Sequence, residues 1–204
     1  QEGNLITLDM GANKLLSPAD LENKSSSFQG TSAVLAQLEI PLETALAAMR
    51  QGRKAGAVTL LNPAPAVDLR HEDLSCVDYL LPNETEARVC AGLPEEASIE
   101  DAFTALCNLG CRNVIITLGE KGCGYASSTR SPTLVPGFKV KPLDSVGAGD
   151  AFCAAFTVAL SEGKALEDSL RFAHAAAALS VTKPDTIPSY HSREKVESLL
   201  KETS

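Results

Sequence analysis

Apolar runs of strand length alternate along this chain with segments of helical period. SAVLAQLE (32–39) reads as a strand. In the PLETALAAMRQG that follows, Leu42, Ala45, Leu46 and Met49 fall at i, i+3, i+4 and i+7, one apolar face of a helix. AVTLLN (57–62), VDYLLPN (77–83) and NVIITLG (113–119) read as further strands. Between the last two lie a short helix from about Glu84 and a second helix around IEDAFTALCNLG. Residues 58–61, with Thr59 as the one polar side chain, and 114–116 are apolar runs, so both faces of those strands need cover, as in a parallel sheet flanked by helices. Beyond Gly122 the stretches shorten and alternate (CGYASS, TLVPGFKVKPL), which predicts antiparallel edge strands. GDAFCAAFTVALSEG and LEDSLRFAHAAAALSV then read as two helices, with a last helix from Ser192, while QEGNLITLDMGAN at the start reads as strand. The pattern predicts an α/β fold: a mainly parallel sheet flanked by helices, with antiparallel edge strands late in the chain.

Composition narrows the function classes. The 204 residues fit one domain, and 44% hydrophobic with 22% charged residues is a globular balance. A net charge of −8 argues against a nucleic-acid partner, although a local anion site is compatible with it. No apolar run approaches the roughly 18 residues a membrane span needs, and no signal peptide is visible. Cysteines 76, 90, 107, 111, 123 and 153 include no CxxC pair, and most sit among apolar neighbours as small hydrophobes. Reduced thiols and a cytoplasmic location are the expectation.

Candidate chemistry gathers where strands end. Glu39, Asn62, Asn83, Thr117, Gly119 and Asp144 follow successive strands, and in an open parallel sheet those carboxyl ends border the ligand crevice. Gly147-Ala148-Gly149-Asp150 then opens an apolar helix, whose first N–H groups and partial positive charge favour an anion. The turn lacks the Lys-Ser/Thr of a P-loop and is not GxGxxG. Taken alone, these four residues favour Asp150 as a helix cap over Asp150 as a base.

A wider set of residues changes that preference. DSVGAGDAF resembles the D-T-x-G-A-G-D-x-F motif of the ribokinase family of sugar and nucleoside kinases. MGANKLLSP, AQLEIPLE, LNPAPA, PNETEA, ITLGEKG and RFAHAAAALSVT match the same family in order, over essentially the whole chain. The resemblance implies an ATP-dependent kinase, most closely one that phosphorylates D-ribose at its 5-hydroxyl. It implies that Asp150 is the general base and that the N–H groups of Gly147, Ala148, Gly149 and Asp150 form the anion hole. It further implies that Glu39 bonds ribose hydroxyls, that Asn83 meets nucleotide phosphate, and that Glu86 organises Mg²⁺. Thr117, Leu118, Gly119, Glu120, Lys121 and Gly122 would line the ATP site, with Gly149 at the phosphates and His174 beside adenine. A K⁺ activator would lie among Asp144, Val146, Ser180, Lys183, Asp185 and Ser189, largely on backbone carbonyls.

Each role has a plainer reading. PNETE is an ordinary capped helix start, and a lone histidine on an alanine-rich helix usually just packs. The sequence also departs from the family pattern. Pro184 and Asp185 stand where a Gly is usual, and aspartate tolerates positive φ better than most residues but less well than glycine. Ser145 replaces a threonine and keeps the hydroxyl.

The family's N-terminal third carries its first strands, a Gly-Gly sugar motif, a substrate aspartate and a lid that makes the dimer. None is found in residues 1–204, so the chain reads as one ribokinase-like domain cut at its N-terminus, with an unpaired sheet edge expected. Alone it is expected to bind ATP weakly and to phosphorylate little ribose. Two alternatives stand beside this reading: another kinase of the superfamily acting on a ketose, deoxysugar acid or nucleoside, and a non-catalytic nucleotide-binding remnant.

Overall fold

The computed structural model describes residues 9–202, so the strand expected at the very start lies largely outside the described residues. Six strands form one sheet: β1 (Ala33–Ala36), β2 (Val58–Leu61), β3 (Tyr79–Leu80), β4 (Asn113–Thr117), β5 (Gly122–Ser127) and β6 (Arg130–Pro136). They lie side by side in chain order. β1 to β4 pair in parallel, and β5 and β6 join antiparallel. The helices are α1 (Pro18–Glu22), α2 (Leu42–Lys54), α3 (Glu84–Cys90), α4 (Ile99–Cys107), α5 (Ala148–Ser161), α6 (Leu166–Ser180) and α7 (Arg193–Glu202).

Alternation along the strands sets the layers. Leu61, Leu80, Val114 and Ile116 face a core built with Leu46 and Met49 of α2, Ala87 of α3 and Phe103 of α4. Their neighbours Leu60, Leu81 and Ile115 face Phe152 and Phe156 of α5 and Leu170 and Ala173 of α6. Both faces are therefore covered, as the continuous apolar runs require. α7 packs behind α6, with Val196 against Phe172 and Ala175.

Two expectations change in detail. β5 is paired on both sides and buried from Gly122 to Ala126, so only β6 of the late pair is outermost. TLVPGFKVKPL is not one strand: β6 stops at Pro136, and the chain leaves the sheet through Gly137. Proline has no N–H to continue a ladder, and residues 137–147 are thereby released to cross above the sheet. At the other side β1 pairs only with β2 among the described residues, and its four residues are half-buried.

The amino edge of the sheet is closed by one polar network. Asp78, 8% exposed and just ahead of β3, accepts from the Thr59 N–H and Thr59 Oγ1, each at 3.1 Å. Arg112 and Arg53 approach its other oxygen at 3.4 and 3.8 Å.

Candidate active site

The 144–150 turn is shaped by one glycine. Gly147 is the N-cap of α5 with φ 80° and ψ 0°, a left-handed conformation that side chains resist. Its carbonyl accepts the first helical bond, from the Ala151 N–H at 2.9 Å. The Ala148 N–H is engaged at 3.3 Å by the Ser145 carbonyl, whereas the Gly149 and Asp150 N–H groups have no acceptor among the described residues. Of the four expected N–H groups only that of Ala148 is thereby taken, and Gly149 and Asp150 carry theirs in the first turn of α5. A Cβ built on Gly149 would meet nothing within 4 Å, so this face is open for a ligand to approach the backbone.

Asp150 itself is not a cap. It occupies the first turn of α5, is exposed, and makes no capping hydrogen bond, the cap position belonging to Gly147. The sequence preference for capping over chemistry therefore fails on geometry. The carboxylate is left available at the helix start.

Beside this helix start lies a cavity of about 660 Å³, within the range of small-molecule sites. One part of its wall is polar, made by Thr117, Gly119, Glu120, Lys121, Ser145, Ala148 and Gly149. The other is apolar, with Phe138, Val140, Pro142, Phe152, Ala177, Ala178 and Val181. The small residues of α6 leave room there, while the segment 137–143, which the sequence reading had assigned to a strand, supplies a wall. Lys139 on that segment also lines the cavity and was missed. Of the loop 117–122, Leu118 packs against the core and Gly122 starts β5; neither lines the cavity.

His174 is packed and also reaches the cavity. It is 6% exposed on α6 with its ring edge-on to Phe152 at 5.0 Å, and it also lines the cavity. Burial pushes its pKa down to about 4, against an opposing pull from the Gly122 backbone. The imidazole is therefore neutral at pH 7, and its Nε2 has no hydrogen-bond partner.

The remaining candidates lie around the cavity rather than on its wall. Asn83 and Glu86 form a reciprocal capping box at the start of α3: the Asn83 N–H donates to Glu86 Oε2 at 2.8 Å, and the Glu86 N–H to Asn83 Oδ1 at 2.9 Å. The plain reading of PNETE is thus correct locally. The same box stands at the carboxyl edge, where Asn83 bridges Thr117. Burial raises the Glu86 pKa, opposed by the Asn83 N–H. Cys153, one turn after Asp150, feels the charges of both Asp150 and Glu86, which places the two carboxylates around one end of α5. Glu39 is exposed in the bend after β1. Asn62 is used structurally, its amide donating to the Leu81 carbonyl at 2.7 Å.

The six expected K⁺ positions are drawn together by a clasp. Leu143 and Asp144 N–H groups donate to the Val181 carbonyl, just past Ser180, at 2.7 and 3.2 Å. Asp144 accepts from the Val146 N–H at 2.9 Å and from the Asp185 N–H at 3.1 Å. Lys183 N–H turns back to the Ser180 carbonyl at 3.5 Å, and Ser189 is buried in the turn that follows. Asp185 has φ 67°, the left-handed conformation expected where glycine is usual.

Fold and site define an α/β domain with a largely apolar cleft at the carboxyl edge of a mostly parallel sheet, beside a helix start whose Gly149 and Asp150 N–H groups have no acceptor among the described residues. The chain belongs to the pfkB family of carbohydrate kinases, whose family model matches residues 1–193. It is 39% identical over 197 residues to the ribokinase of Bacillus subtilis, covering 97% of this chain and 64% of that protein. It is 37% identical over 202 residues to a deoxyribokinase of Salmonella typhimurium, covering 97% and 65%. Among solved structures it superposes on the ribokinase of Thermotoga maritima with a TM-score of 0.87 at 36% identity, over 98% of this chain and 66% of that one. A ribokinase of Arabidopsis thaliana complexed with ribose and ATP gives 0.84 at 35% identity, over 98% and 65%. The chain thus spans just under two thirds of the length of these relatives.

Proposed function

We propose that this chain carries the nucleotide site and the catalytic base of an ATP-dependent sugar kinase that converts D-ribose and ATP to D-ribose 5-phosphate and ADP. The observation that carries this reading is the pair of unengaged N–H groups at Gly149 and Asp150, opening beside a cleft with an apolar wall. A nucleobase suits the apolar wall, and a polyphosphate suits the helix start. Asp150 takes the proton from the sugar 5-hydroxyl as that oxygen bonds to the γ-phosphorus. The bond from the γ-phosphorus to the β–γ bridging oxygen breaks, ADP leaves, and the two N–H groups hold charge on the transferred phosphoryl oxygens. Glu39 bonds the sugar hydroxyls in this reading, as the exposed carboxylate that follows β1.

No cluster of three or more His, Cys, Asp or Glu able to hold a metal ion occurs among the described residues. Mg²⁺ would be held chiefly by phosphates and waters, with Glu86 as the carboxylate toward those waters, and would supply charge neutralisation at the phosphates. K⁺ would be met by carbonyls of the clasp, since both oxygens of Asp144 already accept backbone N–H groups. All six cysteines are free, which supports a reducing, cytoplasmic setting. No helix among the described residues is long and apolar enough to cross a membrane.

The reading is tested by Asp150→Asn, assayed for turnover in a chain extended to the length of its relatives. Ribose-dependent ADP release falls at least about 10³-fold while ATP affinity changes less than about threefold. Undiminished turnover would overturn the assignment. The similarity to a deoxyribokinase supports a second acceptor, so ribose and 2-deoxyribose are compared in the same assay. A higher kcat/KM for 2-deoxyribose would shift the substrate while leaving the base in place.

A further inference from the structure

Tyr190 has no place in the sequence-based site, yet it touches the anion-binding turn. It follows the turn Ile187–Ser189, whose Ser189 is fully buried and bonds back to the Thr186 carbonyl through both its N–H at 3.0 Å and its Oγ at 2.6 Å. From this anchored position the Tyr190 hydroxyl donates to the Gly147 carbonyl oxygen at 3.4 Å. That is longer than a strong O–H···O bond, so packing must share in holding it. A Cβ built on Gly147 would fall 2.9 Å from Tyr190 Oη and 3.0 Å from Thr186 Cγ2. The phenol hydroxyl and the threonine methyl thus fill the space that a side chain at 147 would take.

The loop 185–190 therefore grips the turn at both ends, at Asp144 through the Asp185 N–H and at Gly147 through Tyr190. Gly147 is the pivot of this turn. Its peptide plane fixes where the chain enters α5, and glycine by itself would let that plane swing.

We propose that Tyr190 is a positioning residue for phosphate binding: it holds the Gly147 peptide so that the Gly149 and Asp150 N–H groups converge on a nucleotide phosphate. This rests on the nucleotide reading of the cleft. The role is positional, because the hydroxyl acts through the Gly147 carbonyl and not on the reacting atoms.

The test uses Tyr190→Phe, which keeps the ring and removes the hydroxyl, in the 204-residue chain. ATP and ADP bind about 3- to 10-fold more weakly than to the parent, while adenosine binds equally well. Amide ¹⁵N order parameters at Gly149 and Asp150 drop from the rigid level of about 0.85, and those of α6 stay unchanged. Equal weakening of ATP and adenosine would overturn the proposal, since it would mark a general loss of packing. So would order parameters at Gly149 and Asp150 that do not move, a result that counts whether or not nucleotide binds. Failure of the parent chain to bind either ATP or adenosine would instead refute the nucleotide reading, and the order parameters would still judge Tyr190.

Discussion

The two edges of the sheet treat an aspartate in opposite ways. At the amino edge Asp78 is buried, takes two hydrogen bonds from Thr59 and faces two arginines. At the carboxyl edge Asp150 is exposed beside N–H groups that have no acceptor among the described residues. Polar groups buried for stability are satisfied within the protein, because each one left unpaired carries a desolvation cost. Polar groups kept for a ligand stay unpaired and face open space. The contrast holds between these two aspartates, since Asn83, Glu86 and Asp144 at the carboxyl edge are also paired within the protein.

The largest test of this contrast is Asp78→Ala. It leaves the buried Thr59 N–H without its acceptor and removes the carboxylate that the exposed Arg53 and Arg112 face, and unfolding in urea should show a loss of about 2 kcal/mol. ATP affinity should hold wherever the protein is folded. A loss below about 1 kcal/mol, or weaker ATP binding in the folded state, would break the division between a structural and a functional edge.

A smaller effect sharpens the carboxyl edge. Asp185→Gly keeps the N–H that bonds Asp144 and relieves a positive φ worth about 1 kcal/mol. The extra freedom of glycine in the unfolded chain offsets part of that, leaving a gain of roughly 0.5 kcal/mol in urea unfolding. A loss of more than about 1 kcal/mol would mean that the Asp185 carboxylate is itself engaged.

Much of this was legible in the sequence, for reasons that can be named. Helices with a repeating apolar stripe, such as α2, and strands covered on both faces, such as β4, are set by local periodicity. The DSVGAGDAF resemblance pointed to the turn that opens α5, and the αL residue at Asp185 followed from a glycine being usual there. Local pattern could not show that VDYLLPN shortens to a two-residue strand, or that 137–143 leaves the sheet to wall the cleft. Nor could it show the Asp78 network, whose partners Thr59 and Arg112 are distant in sequence and meet only through parallel pairing. Tyr190 was hidden for the same reason, since its contact with Gly147 spans 43 positions. Asp150 was the reverse case: its local signal favoured a cap, and only the position of Gly147 as the true cap frees it.

The central claim is that the unpaired N–H groups at the start of α5 bind nucleotide phosphate. Titration of the ¹⁵N-labelled chain with ATP tests it most directly, read out at each backbone amide. The account predicts the largest shifts at Gly149 and Asp150, smaller ones along the cleft near His174, and none at Thr59 or Asp78. Saturable ATP binding that leaves the Gly149 and Asp150 amides unmoved would contradict it.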